Sequence, residues 1–143
     1  YLIFVGASTA DESPVFETAL RSKINAHPKC KRVIWAGFQN DMQAVYAAAD
    51  LIIMPSAFET FGMATLEALG TSCPVVGSNT GGTSELLELY GGGLTFKNQS
   101  QEDLSEQIDR VFKGAFPTVN IEQLKQHFSF EHVCEQIENK VLI

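Results

Sequence analysis

Pro55-Ser56-Ala57-Phe58-Glu59-Thr60-Phe61-Gly62-Met63-Ala64-Thr65-Leu66-Glu67-Ala68-Leu69-Gly70 decides the fold of this chain. It follows the apolar run at 51–54 and precedes another at 74–77, so the pattern reads strand, loop, helix, strand. Residues 63–69 are good helix formers, and Gly70 is read as the left-handed cap that closes them. Glu59 then lies just before the helix and Glu67 inside it. The first-turn amides, read as those of Phe61, Gly62, Met63 and Ala64, have no intrahelical acceptor and sit at the positive end of the dipole. An anion such as a diphosphate docks well there, and Gly62 admits a ligand closely. Thr60, Met63, Ala64 and Glu67 recur at the three-and-four spacing of one helix face, which brings Glu67 within reach of a ligand lying along it.

A chain of 143 residues supports one domain with a core, not two. Ten Lys and Arg against seventeen Asp and Glu give a net charge of −7, which argues against a nucleic-acid groove or a polybasic membrane patch. No apolar run approaches the roughly 20 residues that span a bilayer. The start, Tyr-Leu-Ile-Phe-Val, lacks the basic residues of a signal peptide and reads as a cut, not a beginning. Cys30, Cys73 and Cys134 are odd in number and widely spaced, which suits reduced thiols in a cytoplasmic chain better than a disulfide framework or a zinc site. His27, His127 and His132 share no ligand spacing with an acidic or Cys partner.

In chain order, the apolar run at 2–5 suits a buried strand leading into the turn at Gly6-Ala7-Ser8-Thr9. Ser13 and Pro14 open a helix that His27-Pro28 ends. A dinucleotide fingerprint fails there, because the second and third glycines of G-x-G-x-x-G are missing, and no Walker lysine follows any glycine run. Residues 32–36 form the next strand, ending at Gly37-Phe38-Gln39, and Asn40 is the expected cap of a helix carrying Met42, Val45, Tyr46 and Ala49. After the strand at 74–76, residues 77–83 read as a flexible glycine-bearing loop before a short helix at 84–89. A last strand at 94–96 and a helix capped by Ser100 and ended by Gly114 complete five strand–helix alternations. Beyond Pro117 the pattern is two amphipathic helices, the second opened by Ser129, at about 118–143. Strands without alternation, each followed by a helix, imply a parallel sheet covered on both faces: a Rossmann-like three-layer α/β/α sandwich that binds ligands at the strands' carboxyl ends.

The E-x7-E spacing of Glu59 and Glu67, with Phe-Gly after the first and Glu-Ala-Leu-Gly at the second, resembles retaining glycosyltransferases of the GT-B fold, family four. Ala48-Ala49-Asp50, Pro55-Ser56, Cys73-Pro74-Val75-Val76 and Gly81-Gly82-Thr83-Ser84-Glu85 fall where that pattern has similar residues, so the resemblance covers about residues 1–112. It implies the donor-binding, C-terminal half of a GT-B enzyme, with Glu59 catalytic and holding the donor sugar, and Glu67 holding the ribose. It further implies donor contacts from Thr60, Phe61, Gly62, Met63, Ala64, Gly37, Phe38, Gln39, Gly81 and Gly82. From sequence alone Phe38 reads equally as a core aromatic, and Gly81-Gly82 as a plain strand-to-helix turn.

The implied reaction transfers a sugar from a nucleotide diphosphate sugar to a glycan or lipid-linked acceptor, in cell-surface polysaccharide or lipopolysaccharide assembly. A glucan or sucrose-type synthase shares the same logic. No Asp-x-Asp is present, so no metal and no cofactor are expected. The partners implied are the nucleotide sugar and an N-terminal acceptor domain. That domain, and the Gly-Arg and Lys-Gly clamp of an earlier strand unit, are absent from this sequence, so the chain alone is expected to be inactive. The location implied is cytoplasmic, extending to the cytoplasmic membrane face for the full-length enzyme, with no membrane contact through this segment. Two carboxylates also suggest a glycosidase, which in retaining enzymes needs them about 5–5.5 Å apart; eight helical positions span about 12 Å. A receiver domain would require an Asp where Met54-Pro55-Ser56 ends the middle strand. A noncatalytic interaction domain keeping this fold is the remaining alternative, against which the presence of both glutamates counts.

Overall fold

A computed structural model of the chain describes residues 1–6 and 14–141. They form two compact units, Tyr1–Met42 and Gln43–Ile143. In the first, β1 (Leu2–Val5) and β2 (Val33–Gly37) pair in parallel and are linked by α1 (Pro14–Asn25) and a 3-10 turn, Cys30–Arg32. Pro14 takes the first helical position as expected, whereas Ser13 and the turn residues 7–9 lie outside the described residues. Phe4 stacks on Trp35 with ring centroids 4.3 Å apart, and the Arg21 guanidinium of α1 lies 4.0 Å above the Trp35 ring. Leu2 and Ile3 are 43% and 53% exposed, so β1 is not the buried strand that its apolar run suggests. A two-stranded sheet with one crossover helix within its unit has too little cover for both faces.

The second unit carries most of α2 (Met42–Ala48), then β3 (Ile52–Met54), α3 (Met63–Gly70), β4 (Val75–Ser78), α4 (Gly81–Tyr90), β5 (Gly93–Phe96), α5 (Gln101–Phe112), α6 (Ile121–His127) and α7 (Phe130–Val141). Its three strands are parallel in the order β3-β4-β5, and every residue of the central β4 is buried. Val75, Val76 and Leu69 are fully buried, each worth about 1.5–3 kcal/mol of transfer free energy. Val76, Phe96 and Val111 form a cluster against which Leu104, Ile108 and Phe116 pack, so α5 covers one face with the stripe its sequence displays.

Strand ends shift by one or two residues from the sequence expectation, and three helix ends differ in their capping. Helix α2 starts at Met42, so Asp41 and not Asn40 precedes it. Gly70 belongs to α3, and the left-handed residue is Ser72 at φ 61°, whose N–H donates to the Leu69 carbonyl. Helix α4 begins at Gly81, three residues before the expected start, so the glycine pair lies in its first turn and not in a loop. Other caps are where the sequence puts them. Ser100 Oγ accepts from Asp103 N at 3.2 Å, Gly114 stands beyond α5 at φ 70°, and Ser129 Oγ accepts from His132 N at 3.1 Å. On α7, Phe130, Val133 and Ile137 are exposed.

Candidate functional site

The site is built where the loop at 55–62 meets the starts of α3 and α4. The Ala57 carbonyl accepts from Thr80 Oγ1 at 3.0 Å and from Asn98 Nδ2 at 3.1 Å, tying the loop to the residues that follow β4 and β5. Because the single Thr80 hydroxyl proton goes to Ala57, the 2.8 Å contact between Thr80 and Ser78 has Ser78 as donor. Asn79 Oδ1 in turn accepts from Asn98 N at 3.0 Å. The Glu59 carbonyl accepts from Gly82 N at 2.8 Å. A Cβ on Gly81 would stand 1.9 Å from the Glu59 carbonyl oxygen, and one on Gly82 would stand 2.2 Å from that of Phe61. Any side chain at either position displaces the loop. The pair is therefore glycine because the backbone of Glu59 to Phe61 lies against it.

Gly62 sits at φ 88° as the N-cap of α3, and a Cβ there would point at Thr83 N, 3.2 Å away. Its local reason is thus the left-handed turn and the closeness of α4, which differs from the expectation that it clears room for a ligand. The first helical bond runs from Leu66 N to the Gly62 carbonyl, so the amides of Met63, Ala64 and Thr65 have no acceptor within the helix. Of the expected amide set, Phe61 to Ala64, this keeps Met63 and Ala64 and adds Thr65. Thr65 Oγ1 and Thr83 Oγ1 are buried and 2.9 Å apart, which fixes the first turns of α3 and α4 side by side. Two positive helix ends meet in a stretch that has no Lys or Arg between Met54 and Lys97.

One turn into α3, exposed Glu67 accepts a 2.9 Å hydrogen bond at Oε2 from the phenol of Tyr46, which is 4% exposed. Burial, then the bond to Glu67 and its charge, push the Tyr46 phenol up to about 12. Burial, with the nearby Asp50 charge, raises the Cys73 thiol, so the ordinary state of this buried cysteine is a thiol and not a nucleophilic thiolate. The Lys97 backbone N–H and the Gln107 amide both donate to Asp103 and hold its carboxyl below the usual range.

Glu59, Thr60, Phe61, Gly62, Met63, Ala64, Gly81 and Gly82 are thus brought together, with Glu67 one turn further on. Thr60 precedes α3 and so is not on its face. The 12 Å separation also lapses, since only the steps from Met63 to Glu67 are helical, a rise of about 6 Å. Gly37, Phe38 and Gln39 belong to the other unit. Gly37 ends β2 at φ 65°, Gln39 Nε2 donates to the Ala36 carbonyl at 2.7 Å, and Phe38 is 73% exposed, so it is not a core aromatic. Among the described residues, no group of three His, Cys, Asp or Glu is placed to hold a metal ion, and no helix is long and apolar enough to cross a membrane.

Sequence reasoning missed Tyr46, Thr80 and Asn98 as parts of this site. Tyr46 lies 21 positions before Glu67, and Asn98 lies 41 after Ala57, so no short spacing couples them.

The family described as glycosyl transferases group 1 matches residues 1–127. The chain belongs to this family. Among relatives of this group 1 chain, the glycogen synthase of Bacillus licheniformis is 34% identical over 118 residues, which is 77% of the chain and 23% of the relative. The lipopolysaccharide core biosynthesis mannosyltransferase LpsB of Rhizobium meliloti is 33% identical over 94 residues, 66% of the chain and 26% of the relative. Anabaena HepE, solved in complex with UDP-glucose, superposes with a TM-score of 0.86 at 25% identity over 98% of this chain and 40% of its own. The fold is therefore the Rossmann-like C-terminal architecture of GT-B glycosyltransferases, and the chain spans less than half the length of these relatives.

Proposed function

We propose that this chain is the nucleotide-sugar-binding part of a retaining glycosyltransferase, whose acceptor-binding part lies outside it. One observation carries the reading: the amides of Met63, Ala64 and Thr65, without an acceptor in their own helix, open a helix that presents the Glu67 carboxylate one turn along. A nucleoside diphosphate has its anion and its ribose hydroxyls at a comparable separation, so the diphosphate caps α3 while Glu67 accepts from the ribose. Negative charge grows on the departing diphosphate as the glycosidic bond breaks, and preorganised amides at two adjoining helix ends stabilise it without reorganising. Glu59, fixed through its own carbonyl to Gly82, directs its carboxylate to the donor sugar hydroxyls. Met63, Ala64, Thr60 and Phe61 line the donor. No metal or cofactor is required in this scheme. Membership of the family and the UDP-glucose complex of HepE support it.

The acceptor reading is cell-surface polysaccharide or lipopolysaccharide assembly, in the cytoplasm or at its membrane face, supported by the likeness to the mannosyltransferase LpsB. The 34% identity to a glycogen synthase favours a glucan synthase as the second reading. Calorimetry of the full-length enzyme with UDP-glucose, ADP-glucose and GDP-mannose tests both. One nucleotide family binds, and Glu67→Ala weakens it at least tenfold; equal affinity in the variant refutes the role of Glu67. Incubation of the winning donor with candidate acceptors, and NMR of the product's anomeric proton, then reads retention directly.

A further inference from the structure

We propose that Tyr46 is the positioning residue for Glu67 in donor binding: its phenol fixes one carboxylate oxygen so that the other stays available to a ligand hydroxyl. The inference rests on the reading of Glu67 as a ribose-binding group. Glu67 is exposed on α3, where an unrestrained Glu side chain loses rotamer freedom when a ligand fixes it. Tyr46, by contrast, is almost fully buried on α2 and cannot follow a mobile partner. Its O–H donates to Glu67 Oε2 at 2.9 Å, and no second partner of the Glu67 carboxylate is seen among the described residues. Oε1 is left as an acceptor at a set height along α3. The bond has one polarity only, because the carboxylate has no proton to give and the phenol holds its own through the whole ordinary pH range. Part of the ordering cost of donor binding is thereby met before the donor arrives, which is what preorganisation contributes to affinity.

The test is a double-mutant cycle in the full-length enzyme with Tyr46→Phe, Glu67→Ala and the pair, measured with the preferred nucleoside diphosphate and its 2′,3′-dideoxy analogue. Loss of one positioning hydrogen bond is expected to weaken ribonucleotide binding about three- to tenfold. The donor KM rises in step while kcat changes less than about twofold. Three further results are expected: no added loss when Tyr46→Phe is placed on Glu67→Ala, no effect of Tyr46→Phe on the dideoxy ligand, and weaker but measurable binding of that ligand than of the ribonucleotide by the native protein. Additive effects, or equal weakening of both ligands, would mean that Tyr46 serves only the packing of α2 and would overturn the proposal. Unchanged binding in Tyr46→Phe with a loss in Glu67→Ala also overturns it while leaving the donor site intact. Unchanged binding in both variants removes the reading of Glu67 itself, and the proposal with it.

Discussion

At the scale of single residues, the Tyr46–Glu67 bond has a consequence measurable without any ligand. The folded phenol titrates at about 12 against an ordinary value of 10.0, so the unfolded chain releases its proton first as pH rises. The stabilisation is complete below pH 10 and is lost as pH climbs from 10 toward 12. Chemical denaturation across that window is expected to show stability falling with pH by on the order of 1–3 kcal/mol more in the native chain than in Tyr46→Phe. Identical slopes would show that the phenol is not held protonated by its surroundings. Thr80→Val removes the hydroxyl that serves Ala57 and is expected to cost about 1 kcal/mol while loosening the loop that carries Glu59. Thermal unfolding reads the first effect, and amide exchange at residues 57–61 the second. The glutamate pair was legible in the sequence because its spacing is local. Tyr46 was visible there only as a member of a helix stripe, since its partnership with Glu67 depends on how α2 and α3 pack.

At the scale of elements, the junction of the loop with α3 and α4 depends on glycine. Gly81→Ala and Gly82→Ala each drive a methyl into a backbone carbonyl of the loop, and Gly81 is also held at φ 63°. A loss of about 2–4 kcal/mol is expected from either, together with loss of donor binding, by thermal denaturation and calorimetry. Retained stability would mean that the loop does not lie where the contacts put it. Ser100→Ala, which removes the cap of α5, is expected to cost about 1 kcal/mol, read by thermal denaturation. Element order and the caps of α5 and α7 were readable because apolar period and capping residues are local signals. The early start of α4 was not. Gly81 and Gly82 read as loop residues by propensity, and the contact with Glu59 and Phe61 that places them in a helix is tertiary. Likewise the apolar run of β1 signals a strand but not its exposure, which depends on what else covers the sheet.

At the scale of the whole molecule, the parallel strand–helix units place the candidate groups after strands β3, β4 and β5, where open α/β sheets bind ligands. The chain carries a net charge of −7 and no Lys or Arg between Met54 and Lys97, so the proposed diphosphate contact at the start of α3 rests on backbone amides. The most direct test of that account is a ¹H–¹⁵N titration of the chain with UDP-, ADP- and GDP-sugars, with calorimetry of the full-length enzyme on the same ligands. The account predicts that one nucleotide family binds and that the largest shifts fall on the amides of Met63, Ala64, Thr65, Gly81, Gly82 and Glu67. Shifts confined to other elements, or silence in the titration together with no heat from the full-length enzyme, would contradict it.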